Sequence, residues 1–263
     1  MDAPPLITLT TDFGVGSAYV AAMKGVIYSI CPAARIVDLT HAVPPQDVAA
    51  GARALADVAP LFPPGTIHVA VIDPGVGTER SIVYAEIAGQ RLICPDNGLL
   101  TLLAAREKPR KIRAITERRW MRAEVSATFH GRDVMAPAAA HLAAGLDPEQ
   151  LGPPHGDLVT LAFPGAEKVA NSISGEVVSI DSFGNLVTNI KREMLEGVPT
   201  DDSVAITCDE HETRGIFTTY GDQPDLTLIA LIGSTDALEL AIVGESAAIM
   251  LGVRAGTPVT VAW

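Results

Sequence analysis

The chain has three cysteines in 263 residues, Cys31, Cys94 and Cys208, widely spaced and set in apolar strings. An odd, scattered set argues against a disulfide framework and offers no CxxC metal-binding pair, so a reducing, cytoplasmic setting is the expectation. Basic residues are few as well, 19 against 31 acidic, for a net charge of −12, with no basic run beyond the Arg118-Arg119 neighbourhood. That balance argues against a nucleic-acid surface and fits a cationic ligand or plain solubility. Nowhere do about eighteen apolar residues run together. The start Met1-Asp2-Ala3-Pro4-Pro5 has no basic leader and no apolar segment. Neither a membrane span nor a cleaved secretion signal is therefore expected. The six histidines, His41, His68, His130, His141, His155 and His211, show no HExxH or similar spacing, so no metal is expected. GxSxG and a Cys/His pairing are missing too, which removes the usual serine and cysteine nucleophiles. Gly14-Val15-Gly16 lacks the third glycine of a dinucleotide fingerprint.

What is present is enough for a substantial core, with 48% hydrophobic and 19% charged residues. Leu6 to Thr10 reads as a strand, and from Ser17 the apolar residues Tyr19, Val20, Met23, Val26, Ile27 and Ile30 recur at helical spacing until Cys31-Pro32. Strands over Arg35 to Leu39 and His68 to Ile72 follow, with a helix opened by Pro44 and Pro45 between them. Alternating strand and helix predicts a mostly parallel sheet. A hairpin around Ala88-Gly89-Gln90, a leucine-rich helix after Pro95-Asp96-Asn97-Gly98 and a short strand at Lys111 to Ile115 add mixed pairing at one edge. An alanine-rich helix then runs from His130 to about Ala144.

Residues 145–165 turn rich in proline and glycine, as a linker does. Beyond them the helical period nearly disappears, and short apolar strings such as 175–180, 203–207, 226–231 and 257–262 alternate with turns. The expected architecture is an α/β N-terminal domain over 1–160 and a smaller all-β, barrel-like C-terminal domain over 166–263.

Three turns place an acid just beyond a strand: Asp12, Asp73 and Asp181. Carboxylates outside the carboxyl ends of strands can hold ribose hydroxyls, hold an ammonium or orient a water, although any one of them can equally cap its own turn. Asp73 is followed by Pro74, Gly75 and Gly77 and then Arg80, while His130 stands at a helix entrance, where the dipole disfavours its protonated form. Asp73, Arg80 and His130 make a set able to bind and activate a water.

Taken in order, Thr10-Thr11-Asp12-Phe13-Gly14, Met23-Lys24-Gly25, Asp73-Pro74-Gly75-Val76-Gly77-Thr78 with Arg80, and Pro95-Asp96-Asn97-Gly98 form one pattern. Thr128-Phe129-His130-Gly131-Arg132-Asp133, Asp181 with Phe183-Gly184-Asn185, and Gly233-Ser234 with Leu238-Glu239 continue it. Together they resemble the S-adenosyl-L-methionine hydroxide adenosyltransferases, water-using relatives of the fluorinase and chlorinase. The resemblance implies a homotrimer with active sites between neighbouring subunits, and hydrolysis of S-adenosylmethionine to adenosine and methionine, with no cofactor and no metal. It implies that Asp12 accepts the ribose hydroxyls, that Phe129 walls the adenosine and that Asp181 takes the methionine ammonium. Phe183, Asn185 and Ser234 would line the adenine and methionine sites from the neighbouring subunit, and Asp73, Arg80 and His130 would handle the water. The halogenases, the nearest alternative, are similar but carry a tyrosine where this chain has Asp73, and the fluorinase a serine where it has Gly131. A module that binds S-adenosylmethionine or adenosine without turnover is the third reading. Ser17, where the family often has an acid, and Gly244-Glu245-Ser246, where an asparagine-bearing turn is more usual, depart from the pattern.

Overall fold

The structure is a computed structural model that describes residues 4–263; Met1 to Ala3, part of the N-terminal reading above, lie outside the described residues. The chain divides into two compact units, with the break between Leu161 and Ala162.

The first unit is built on a six-stranded sheet. Its strands are β1 (Leu6–Thr11), β2 (Arg35–Thr40), β3 (Ile67–Val71), β4 (Ile82–Ile87), β5 (Gln90–Pro95) and β6 (Arg110–Ala114), in the order β2-β1-β3-β5-β4-β6. β1 runs parallel to β2 and β3, and β3 parallel to β5, while β4 is antiparallel to both its neighbours. β3 is central and every residue in it is buried, which is why it reads as an unbroken apolar run. Thr11 pairs with Val71, so Asp12 and Asp73 leave the carboxyl ends of adjacent parallel strands.

Helix α1 (Ala18–Ile30) starts where the Ser17 side chain accepts the Tyr19 amide, and it buries Val20, Met23 and Ile27. Helix α2 (Val48–Val58) begins after the prolines rather than on them, capped by Asp47, which accepts from the Ala50 amide. Helix α3 (Thr101–Arg106) follows the Pro95-Gly98 turn. His130 leads into a π-helical turn, Gly131–Met135, that runs straight into α4 (Ala136–Ala143), packed against α1 and β3. Ala88 and Gly89 both have positive φ and close the β4–β5 hairpin in two residues, the geometry of a primed turn.

The proline- and glycine-rich segment up to Leu161 belongs to this first unit. Leu151 O accepts from the Thr116 and Glu117 amides, Pro153 O from the Ala114 amide, and the Leu161 amide donates to Thr101 Oγ1.

The second unit has eight strands: β7 (Glu167–Val169), β8 (Ser172–Ile180), β9 (Leu186–Lys191), β10 (Ala205–Cys208), β11 (His211–Arg214), β12 (Leu228–Ile232), β13 (Ala237–Ile242) and β14 (Pro258–Ala262). They pair antiparallel in the order β11-β10-β14-β8-β9-β13-β12, with β7 on the side of β8, and make a nearly closed, barrel-like sheet. Ile173, Val177, Leu186, Ile206, Leu238 and Val259 fill its interior. One short helix, α5 (Ala247–Leu251), follows β13. The expected α/β unit followed by a barrel-like β unit is what the chain forms.

Among the described residues no helix is long and apolar enough to cross a membrane. All three cysteines are free and buried.

Candidate active site

β3 delivers the chain to Asp73, and the exit is held from the side by Asn97, whose Nδ2 donates to Ile72 O at 2.9 Å. Two successive turns follow, the Val76 amide donating to Asp73 O and the Thr78 amide to Gly75 O. Gly77 is required at their centre. Its φ is +79°, and a Cβ there would lie 2.3 Å from Ala127 O. This close approach seats the 73–80 loop on the segment that leads to Phe129 and His130.

The turns fold Arg80 back over Asp73. Arg80 Nε donates to Asp73 Oδ1 at 2.9 Å and to Oδ2 at 3.1 Å, and Nη2 donates to Oδ2 as well. Nη2 also reaches His130 Nδ1 at 2.8 Å. The Asp73 and Arg80 side chains are only 6% and 12% exposed, so this pair is shielded from solvent, unlike a surface salt bridge. An arginine has only donors, so His130 Nδ1 must be the acceptor, and the ring proton then sits on Nε2. Burial, with the Arg80 charge, lowers the His130 pKa below the ordinary histidine value, and the charges of Asp73 and Asp133 pull the other way. The imidazole is therefore neutral at pH 7.

Asp133 holds the turn that carries His130. It is fully buried and accepts four hydrogen bonds, from Arg122 Nη1 (2.8 Å), Arg132 Nε (2.6 Å) and Nη2 (2.8 Å), and the Ser126 amide (2.9 Å). Burial raises its pKa, but the Arg132, Ser126 and Arg122 bonds outweigh that and bring it to about 2. Gly131 packs its backbone onto β3, where an added Cβ would meet Val71 Cγ1 at 3.0 Å.

Asp12, one residue past β1, accepts from the Gln46 amide through Oδ2 at 2.8 Å. Phe129 is buried and meets Phe13 and Tyr19 edge-on, at centroid distances of 5.6 and 5.1 Å, with Arg132 stacked over its ring at 4.9 Å. These four residues border a cavity of about 260 Å³.

In the second unit, Asp181, Phe183, Asn185 and Ser234 come together on one cavity of about 630 Å³, joined by Tyr220 and Glu239. Asp181 Oδ1 accepts from the Phe183 and Asn185 amides, and Oδ2 from Asn185 Nδ2. Phe183 is 78% exposed at the rim. Gly184, between these residues, has φ +87° and leaves no room for a side chain, since a Cβ would lie 2.0 Å from Ser246 Oγ. Ser246 in turn caps α5, so at this departure from the family pattern the serine has a definite structural task.

Of the residues expected to act, the structure joins Asp73, Arg80 and His130 directly, and gathers Asp181, Phe183, Asn185 and Ser234 around one cavity. Tyr220, Glu239 and Asp133 had no role assigned from sequence. The signal for Glu239 was one charged residue inside the apolar string 237–242; for Asp133 it was a carboxylate beside Arg132. Tyr220 had none.

An α/β unit with a shielded carboxylate, guanidinium and neutral imidazole at the end of its central strand, and a β unit with a carboxylate-lined cavity, define an enzyme that handles a polar small molecule. Residues 7–152 match the model of the SAM hydroxide adenosyltransferase N-terminal domain, and residues 175–260 that of the C-terminal domain. The chain is 39% identical over 259 residues to a Salinispora tropica protein named (R)-S-adenosyl-L-methionine hydrolase, covering 97% of each. It is 31% identical over 289 residues to a fluorinase of Nocardia brasiliensis, covering 98% of this chain and 96% of that one. A solved structure of an uncharacterized conserved protein from Thermotoga maritima superposes with a TM-score of 0.92 at 33% identity, over 98% of this chain and 100% of the other. The chain belongs to the SAM hydroxide adenosyltransferase family.

Proposed function

We propose that this protein hydrolyses S-adenosyl-L-methionine to adenosine and L-methionine, a water attacking ribose C5′ in line with the departing sulfur. The observation that carries the reading is the Asp73–Arg80–His130 chain, and the resemblance set out above adds that the halogenases carry a tyrosine at the position of Asp73. As the O–C5′ bond forms, the C5′–S pair returns to sulfur and methionine leaves as a neutral thioether. The sulfonium is already activated, so the protein's task is to place and desolvate the water and accept one proton.

The geometry divides that task. His130 Nδ1 is occupied by Arg80, so Nε2–H serves as a donor that orients the water oxygen. Asp73 is the anionic acceptor of the proton, which becomes strongly acidic once the water is bonded to carbon. Arg80 holds both partners at fixed spacing, and Asp133 keeps His130 in place. Asp12 takes the ribose hydroxyls, Phe129 walls the adenosine, and Asp181 takes the methionine ammonium. Phe183, Asn185 and Ser234 line the adenine and methionine sites. The assembly is a homotrimer of cytoplasmic subunits with active sites between neighbours, and it needs neither metal nor cofactor.

The test is chromatography of purified protein given each sulfonium epimer of the substrate, since the relatives' name specifies an (R) configuration. Adenosine from at least one epimer is expected, with Asp73→Ala and His130→Ala each slowing turnover by roughly a hundredfold or more. Absence of adenosine from both epimers, or full activity in those variants, overturns the reading. A 5′-chloro-5′-deoxyadenosine product in chloride would favour the halogenase instead.

A further inference from the structure

Glu239 stands in the middle of β13, Ala237-Leu238-Glu239-Leu240-Ala241-Ile242, where every residue is buried. Its partners in register are Val187 on β9 and Leu231 on β12, both apolar, and it is itself only 6% exposed. An ionised carboxylate in such surroundings is costly unless it is paired. One hydrogen bond meets it, from Tyr220 Oη to Oε1 at 2.5 Å. Oε2 accepts from no donor among the described residues.

Space for that free oxygen is reserved by the backbone: at Gly233 a Cβ would lie 2.4 Å from Oε2. The cavity that Glu239 lines is bordered by three carboxylates, Asp181, Glu239 and Glu245, and by no lysine, arginine or histidine. Asp181 is held by neutral donors alone. Burial raises the Glu239 pKa, the Tyr220 bond opposes this, and the Asp181 charge adds to the rise. The cavity therefore gathers three carboxylates, one of them buried, with no basic side chain among its lining residues to balance them.

We propose that Glu239 is a second recognition carboxylate of this cavity, oriented by Tyr220, which together with Asp181 supplies the counter-charge for the cationic methionyl half of the substrate. The ligand's identity rests on the function proposed above; the demand for a cation comes from the cavity itself. The pair also separates substrate from products. Hydrolysis discharges the sulfonium, so the attraction that draws the substrate in weakens once the bond is cut, and adenosine, which is neutral, never feels it.

The experiment is calorimetric titration of S-adenosylmethionine, and separately of adenosine, into the slow Asp73→Ala protein with and without Glu239→Gln. Loss of one buried charge partner should weaken S-adenosylmethionine binding about tenfold or more and leave adenosine affinity within about twofold. In the otherwise unaltered protein the same substitution should raise KM by a larger factor than it lowers kcat. Unchanged S-adenosylmethionine affinity overturns the inference, and so does an equal loss for both ligands, which would mark Glu239 as a structural prop.

Should Glu239→Gln fail to fold, Tyr220→Phe removes only the hydroxyl. With that donor gone the carboxylate is harder to ionise, so the loss of S-adenosylmethionine binding on acidification should move to higher pH. Asp181, Tyr220 and Glu245 are the other titratable groups on this cavity, and an unmoved profile overturns the proposal. If the protein binds S-adenosylmethionine with this charge preference yet releases no adenosine, the hydrolase reading falls and the Glu239 inference stands.

Discussion

Arg80 serves two acceptors with one guanidinium, and the protonation of His130 follows from that. Because Nδ1 accepts from Arg80, an imidazolium cannot keep this contact, and acidification through the His130 pKa should disconnect the ring. That pKa lies below 6.5. A proton NMR titration should therefore give His130 a midpoint under 6.5, with activity falling as pH drops through the same range; a midpoint at or above 6.5 contradicts the arrangement. Arg80→Lys should cost about a hundredfold in kcat, since an ammonium is a point donor and cannot span a carboxylate and an imidazole as a planar fork does. Asp73, Arg80 and His130 were legible as candidates because each sits at a strand end, a glycine turn or a helix entrance. Which ring nitrogen faces the arginine was not, because it depends on two segments fifty residues apart meeting in space.

At the scale of elements, the glycine turn after β3 and the π-helical entrance to α4 make the site. Gly77→Ala would force a left-handed conformation on a residue with a Cβ, at about 1–2 kcal/mol, and drive that Cβ into Ala127 O, adding about 1–3 kcal/mol of overpacking. A lower Tm and a large loss of turnover together are expected in thermal melts and initial-rate assays; a variant with wild-type rate would show that the loop does not need its contact with Ala127. Gly131→Ser, which installs the fluorinase residue, meets Val71 Cγ1 at 3.0 Å. It should slow hydrolysis without producing a halogenated product, because Asp73 still stands where a halogenase has tyrosine. The helices and parallel strands of the first unit are legible because their periods are clean and the start of α1 at Ser17 is local, while the start of α2 lies past Pro44 and Pro45, at the Asp47 cap. In the second unit the apolar strings do not mark β7, β9, β11 or β13. β7 and β11 are only three and four residues long, β13 is buried throughout and so lacks the alternation that marks a strand, and β9 follows closely on the Asp181 turn.

For the whole molecule, buried polar groups set how the fold responds to acid. His68 is buried in β3, bonded to Thr8 Oγ1 at 2.7 Å, and burial lowers its pKa from 6.5 to about 4, with a weak opposing bond to Gln90. A depressed histidine is neutral in the folded chain, while the unfolded chain takes up a proton first. Stability is thus complete above pH 6.5 and is lost as pH falls towards 4, by about 3 kcal/mol from this residue. Denaturation midpoints measured from pH 8 to pH 4 should be flat at the upper end and fall below 6.5, and His68→Gln should remove part of that slope; an equal slope in the variant would place the acid sensitivity elsewhere. Assembly belongs to this scale too, and light scattering should give three times the 27.5 kDa chain mass, a monomer contradicting the proposed trimer. Everything proposed for this site turns on water being the nucleophile at ribose C5′. The deciding measurement is reaction in ¹⁸O-enriched water followed by mass spectrometry of the nucleoside. Adenosine carrying the heavy oxygen at the 5′ position is expected; unlabelled adenosine, or a 5′-halogenated nucleoside formed in its place, would rule water out as the nucleophile.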